Sequence, residues 1–240
     1  KLVASGAAPG ATNELGVTPL TLACENANPA MVELLLRAGA DPNAALGTGE
    51  TVLMSCARTG SASAVRAVLV AGADVNAREQ AEDQTALMWA AAQRHPAIVR
   101  LLIEQGADVA ARSRERRQVI SRRLQSELKY GELGRNYGTD AEETRVGGFT
   151  PLLFAVRQGD VESARLLLEA GADVNDRAPD GASALVVAAH SGHGALAMFL
   201  LEQGANPDAA AAGYTALHAA VLTGDLAVVE ALLAHGARPN

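Results

Sequence analysis

At 240 residues the chain has the length of one or two domains. Its 49% apolar content with only 3% aromatic residues leaves alanine and leucine to build the core. A net charge of −7 excludes a general electrostatic footprint for nucleic acid, and the lack of any apolar run of 18 residues excludes a membrane span in this segment.

Leu2-Val-Ala-Ser-Gly6-Ala7 reads as the end of a helix, so the chain opens inside an incomplete unit. The first residue is Lys, which leaves a removed signal peptide open. The first full unit starts at Thr18. Thr18, Thr51, Thr85, Thr150, Ser183 and Thr215 are helix N-cap residues whose hydroxyls accept a free amide of the first turn. Pro19 and Pro151 suit the first helical position. A short Ala-rich helix follows each cap. A turn leads to a second helix with an apolar stripe, as in Met31, Val32, Leu34, Leu35 and Leu36. A glycine ends that second helix, since glycine adopts the left-handed conformation at little cost. These glycines are 39, 72, 106, 171, 204 and 236, separated by 33, 34, 65, 33 and 32 residues. The 65 is one unit plus an insertion. A fixed period of this size predicts a stacked repeat array, in which each unit buries its apolar face against its neighbours.

Two signatures recur in register: Thr18-Pro-Leu-Thr-Leu-Ala-Cys24, Thr150-Pro-Leu-Leu-Phe-Ala-Val156 and their four counterparts, and Gly39-Ala-Asp, Gly72-Ala-Asp and theirs. They resemble the Thr-Pro-Leu-His-x-Ala-Ala and Gly-Ala-Asp-x-Asn motifs of ankyrin repeats, over everything except residues 112–147. The resemblance implies an all-α solenoid of helix-turn-helix units joined by β-hairpin-like loops. It implies binding of a protein partner on a concave face rather than catalysis. The organisation is then repeats over 1–111, a charged insertion over 112–147, and repeats over 148–240. Arg outnumbers Lys 18 to 2, and alanine is abundant; with the family resemblance, this points to a bacterial source.

The insertion holds nine basic residues against six acidic ones, a net of +3 that leaves −10 for the rest. Among its residues are Arg116, Arg117, Arg122, Arg123, Tyr130 and Tyr137. Ile120, Leu124 and Leu128 recur every four residues and predict a helix over 117–129. The glycines beyond mark a loose return. A solvated loop whose arginines pair with the acidic repeats, a partner-binding finger, and nucleic-acid binding through Tyr130 and Tyr137 are the three readings of this segment, in descending order.

The resemblance also implies which positions face the groove. These are Phe149 and Tyr214 at hairpin tips, and Leu22, Ser55, Trp89, Phe154, Val187 and Ala219 on first helices. Arg58, Arg157, Gln158 and His190 belong to the residues just after them. Trp89 and Phe154 sit at the same repeat position on either side of the insertion. Aromatic and Arg residues are what binding hot spots favour, although aromatics also serve simply to fill space between repeats.

No catalytic or metal-binding constellation emerges. The chain has no phosphate loop and no nucleophile elbow. Its five histidines lack ligand spacing, and His218 fills a position whose family role is structural. No cofactor is implied. Cys24 and Cys56 occupy small-residue positions of adjacent first helices, and buried free thiols are the expected state, ahead of a disulfide or a reactive thiol. Both the cytoplasm and the bacterial periplasm fit two cysteines. The chain closes just after a Gly-Ala motif with no polar capping repeat. Head-to-tail self-association, or service as the recognition segment of a larger enzyme, are the alternatives to a partner-binding scaffold.

Overall fold

The computed structural model describes residues 9–121, 141–211 and 213–239. Twelve helices pair into six units. They are α1 (Pro19–Glu25) with α2 (Pro29–Arg37), α3 (Val52–Thr59) with α4 (Ala62–Val70), and α5 (Ala86–Ala92) with α6 (Pro96–Glu104). After the insertion come α7 (Pro151–Arg157) with α8 (Val161–Glu169), α9 (Ala184–His190) with α10 (Gly194–Glu202), and α11 (Ala216–Thr223) with α12 (Leu226–Ala234).

The caps explain why each unit starts where it does. All six Thr or Ser residues of the repeating motif accept an amide three positions on, from Thr18 to Thr215. Asp160 and Asp225 do the same for α8 and α12, adding a negative charge at the positive helix end. First helices pack against first helices and second against second, and α5 lies against α7 as α1 lies against α3. The insertion therefore does not interrupt the stack. The core is a continuous seam of small and branched residues, with Leu20, Leu53, Leu87, Leu152 and Leu185 almost fully buried at the same motif position. Individual units could not bury such a seam alone.

A hydrogen-bond ladder ties successive units along the turns that follow the second helices. The Asn43 side chain accepts from Asp74 N (2.7 Å) and donates to Gly72 O (3.1 Å). Asn76 repeats this with Asp108 N (2.8 Å) and Gly106 O (3.1 Å). The next rung is missing, because Ala110 stands where the motif has Asn. It resumes with Asn175, whose Oδ1 accepts from Asn206 N at 2.8 Å. Asn76→Ala removes one rung and should cost about 1–2 kcal/mol, read as a lower urea midpoint with the far repeats still folded.

Two expectations are corrected. Cys24 and Cys56 are not free thiols but form a disulfide between α1 and α3, both fully buried. Cys24 is the seventh residue of its motif and Cys56 the sixth of the next, so they are 32 residues apart and their Cα atoms lie 4.6 Å apart. That spacing admits the bond. The helix expected from residue 117 is not formed at its start. Glu115–Ser121 is a strand, β1, paired antiparallel with Ala141–Gly147, β2, from Glu115↔Gly147 to Ser121↔Ala141. The reason is that three of the other four repeat junctions already hold a short antiparallel pairing, seen in the bridges Ala45↔Thr51 and Arg177↔Ser183 and in the two-residue strands Ala210–Ala211 and Tyr214–Thr215. At the third junction the pairing runs on outward, favoured by β-branched Val119, Ile120, Thr144 and Val146. Leu124, Leu128 and the glycines as far as Gly138 lie outside the described residues.

Candidate partner-binding face

The foot of the β1–β2 ribbon is fastened by its own arginines. Arg112 pairs with the buried carboxylate of Asp176 and donates to the carbonyls of Gly148 (2.9 Å) and Arg177 (3.2 Å). Asp176 also accepts from Thr150 Oγ1 (2.6 Å) and Arg177 N (2.8 Å). Arg114 forks onto Asp83 through two bonds of 2.9 and 3.0 Å. These bonds, and behind them the charges of Arg114 and Arg78, hold the Asp83 carboxyl below the usual carboxylate range against a partial desolvation. A depressed carboxylate supplies stability above its unfolded-state value and loses it as pH falls through the folded one. Arg116 pairs with Glu82 at 2.7 Å and donates to Ala81 O at 2.7 Å. Glu82 lies in a loop built on the buried Glu79, whose carboxylate accepts the amides of Ala81, Glu82 and Gln84 at 2.6, 2.8 and 3.0 Å. The arginines at this end of the insertion thus pair with acids of the repeats while staying about half exposed.

Two aromatic–arginine clusters lie on the first helices and hairpins of the second to fourth repeats. In the first, the Arg58 guanidinium lies 5.3 Å from the Trp89 ring centroid. Arg58 is flanked by Glu50 at 3.4 Å and Glu25 at 3.7 Å, and Ser55 Oγ donates to Glu50 at 2.9 Å. The indole Nε1 of Trp89 is buried and has no hydrogen-bond partner among the described residues. In the second cluster, Arg157 lies 5.3 Å from the Phe149 centroid, and Phe149 and Phe154 meet at 5.8 Å, tilted by 59°. Phe149 is set in place by Ser113, which exchanges backbone and side-chain bonds of 3.0 Å with it. Gln158 caps α7 and is exposed beside Arg157.

Two histidines hold these arginines from behind, and the sequence reading gave them no such role. His95 Nε2 bonds to Arg58 O at 3.1 Å, and His193 Nε2 bonds to Arg157 O at 3.1 Å. The imidazoles lie so close to Gly60 and Gly159 that a Cβ there would sit 2.8 and 2.7 Å from ring atoms, and both glycines have positive φ (81° and 68°). The signal was in the sequence: a His one residue before a second helix, 35 and 34 positions after a glycine.

The remaining predicted residues separate. Tyr214, His190 and His218 form their own cluster, with His190 Nδ1 3.4 Å from the Tyr214 hydroxyl. His218 closes the cap of α11, its Nδ1 accepting from Thr215 N at 3.2 Å. Ser55 and Ala219, assigned to the groove by position, are fully buried and present no surface to it; Ser55 acts only through its bond to Glu50. Arg117 is exposed on β1. Arg122, Arg123, Tyr130 and Tyr137 lie outside the described residues. No helix among the described residues is long and apolar enough to cross a membrane.

Six stacked helical hairpins, joined by glycine-led turns and short hairpins, define an α-solenoid of repeats. A family model described as ankyrin repeats (3 copies) matches residues 1–79, 20–113 and 152–240, and the chain belongs to that family. Among solved structures it is similar to the human ASB11 ankyrin repeat domain, at 22% identity and a TM-score of 0.74, over 92% of this chain and 85% of that one. It is also similar to the ankyrin repeat domain of Bcl-3, described as a unique member of the IkappaB protein family, at 28% identity and a TM-score of 0.69, over 97% and 89%. No curated protein sequence matches it.

Proposed function

We propose that the chain is a non-catalytic scaffold that holds a protein partner on the face formed by its first helices and hairpins, with the insertion setting which partner is accepted. Ankyrin repeats generally mediate protein–protein interaction. The observation that carries the finer reading is the pair of clusters Arg58–Trp89 and Arg157–Phe149–Phe154. Half-buried aromatics stacked by arginine are pre-ordered, so little side-chain entropy is lost when a partner covers them. They stand on both sides of the insertion foot, so one partner can touch both and the ribbon at once.

The test uses two variants. In one, Trp89 and Phe154 become Ala. In the other, residues 118–144 are replaced by Asn-Gly, a two-residue turn that closes the ribbon after Arg117. Partners are captured from a lysate of the source organism on each variant and on the parent chain, after circular dichroism confirms folding. A partner retained by the parent and lost by the aromatic variant supports the face. Loss by the shortened ribbon alone moves recognition to the insertion. Retention by both variants overturns the proposal.

A further inference from the structure

Arg58 and Arg157 occupy the same motif position, each stacked on an aromatic ring and each held through its carbonyl by a histidine. Their charge environments are opposite. Arg58 lies within 4 Å of two carboxylates, Glu25 and Glu50. Arg157 has no carboxylate partner among the described residues and is exposed. It lines a cleft of about 370 Å³ at the ribbon foot, together with Phe149, Phe154, Arg145, Glu82 and Asp180. Two of those charges are already answered, Arg145 by Glu115 at 3.3 Å and Glu82 by Arg116 at 2.7 Å. Asp180 accepts the Ala182 amide at 2.9 Å. The cleft is thus an aromatic floor under one uncompensated guanidinium, with a single acid on its rim.

We propose that this cleft is a carboxylate subsite, which receives an Asp or Glu side chain of an extended partner segment with an adjacent apolar side chain against Phe149 and Phe154. The inference rests on the partner-binding reading and narrows it. A monoanion suits one free guanidinium, whose planar fork matches a carboxylate in two bonds. A phosphate dianion would leave half its charge facing Asp180. An internal side chain is favoured over a chain terminus because repeats flank the cleft on both sides, so a segment must pass across it.

The probe is N-acetyl-Leu-Glu-Leu-amide, titrated into the ¹⁵N-labelled full chain while the Arg side-chain Nε–H signals are followed. The Arg157 signal, assigned by its loss in Arg157→Gln, should shift saturably. A charge-assisted bond predicts a Kd about 5- to 20-fold weaker for the Leu-Gln-Leu probe or for Arg157→Gln. Arg157→Lys should restore less than half of that loss, and Arg37→Gln, on the second helix of the first repeat and away from the cleft, should leave binding unchanged. Added salt should weaken the Glu probe and not the Gln probe. Equal binding of the two probes, no effect of Arg157→Gln, or no saturable shift overturns the subsite. Tighter binding of a Leu-phosphoserine-Leu probe, or of acetyl-Leu-Leu-Leu with a free carboxyl end, overturns the choice of a side-chain carboxylate. A captured partner that ignores Arg157→Gln sinks this inference and leaves the broader function standing. Peptide binding without any captured partner does the reverse.

Discussion

Replacing Cys24 and Cys56 together by alanine, or reducing their bond, should lower the stability of the first two repeats by about 3–4 kcal/mol. The bond joins positions 32 residues apart, so it removes loop-closure entropy from the unfolded chain over nearly one whole unit. Both sulfurs are fully buried between α1 and α3, and Thr59 Oγ1 lies 3.1 Å from both Cys24 O and Cys56 O, which fixes the same two helices from the side. In a solenoid the loss stays local, because each unit contacts only its neighbours. Hydrogen exchange should therefore show α1 to α4 losing protection under reduction while α9 to α12 keep theirs. A single overall midpoint would blur the effect. Alkylation and mass measurement on the untreated protein establish that the bond is present. Superimposable exchange profiles with and without reductant would then refute the assigned contribution.

How far the sequence reveals this molecule depends on the range of each interaction. The caps at Thr18, Thr51 and Thr150 and the turn after Gly39 are settled within four residues, so periodicity alone places them. The disulfide needs a one-position offset between neighbouring motifs, which becomes visible only when α1 is laid against α3. The ribbon is hidden from local sequence for a similar reason. Ile120 fits a helical stripe locally, yet its strand partner is Glu142, and nothing near Ile120 announces that pairing. Motif position puts Trp89, Phe149 and Phe154 on the same face as Arg58 and Arg157, and in the structure Arg58 lies over Trp89 while Arg157 lies over Phe149. The difference between the two arginines was not legible. It comes from Glu25 and Glu50, which lie one repeat and one hairpin away from the Arg58 side chain they neutralise.

The largest effect on the insertion should come from one buried carboxylate. Asp176→Ala removes the acceptor for Arg112, Thr150 and the Arg177 amide at once. Asp176 is 8% exposed while Arg112 remains half exposed, so the charge pair contributes less than a fully buried one. The two neutral donors lose a strong acceptor, and the sum is about 2–4 kcal/mol. The site matters because the Asn ladder has no rung at Ala110, so the junction between the third and fourth repeats relies on Arg112 and Asp176 instead. Asp176→Asn separates the contributions. It preserves acceptance from Thr150 and gives up the charge, so it should recover more than half of the loss. If the pair anchors the ribbon, Asp176→Ala should also speed exchange of the Ser113 and Gly148 amides, which bond to Phe149 O and Arg114 O, before any change in α9 to α12. Uniform loosening of all six repeats would mean that Asp176 supports the stack as a whole, and that the ribbon draws its orientation from Arg114 on Asp83 and Arg116 on Glu82.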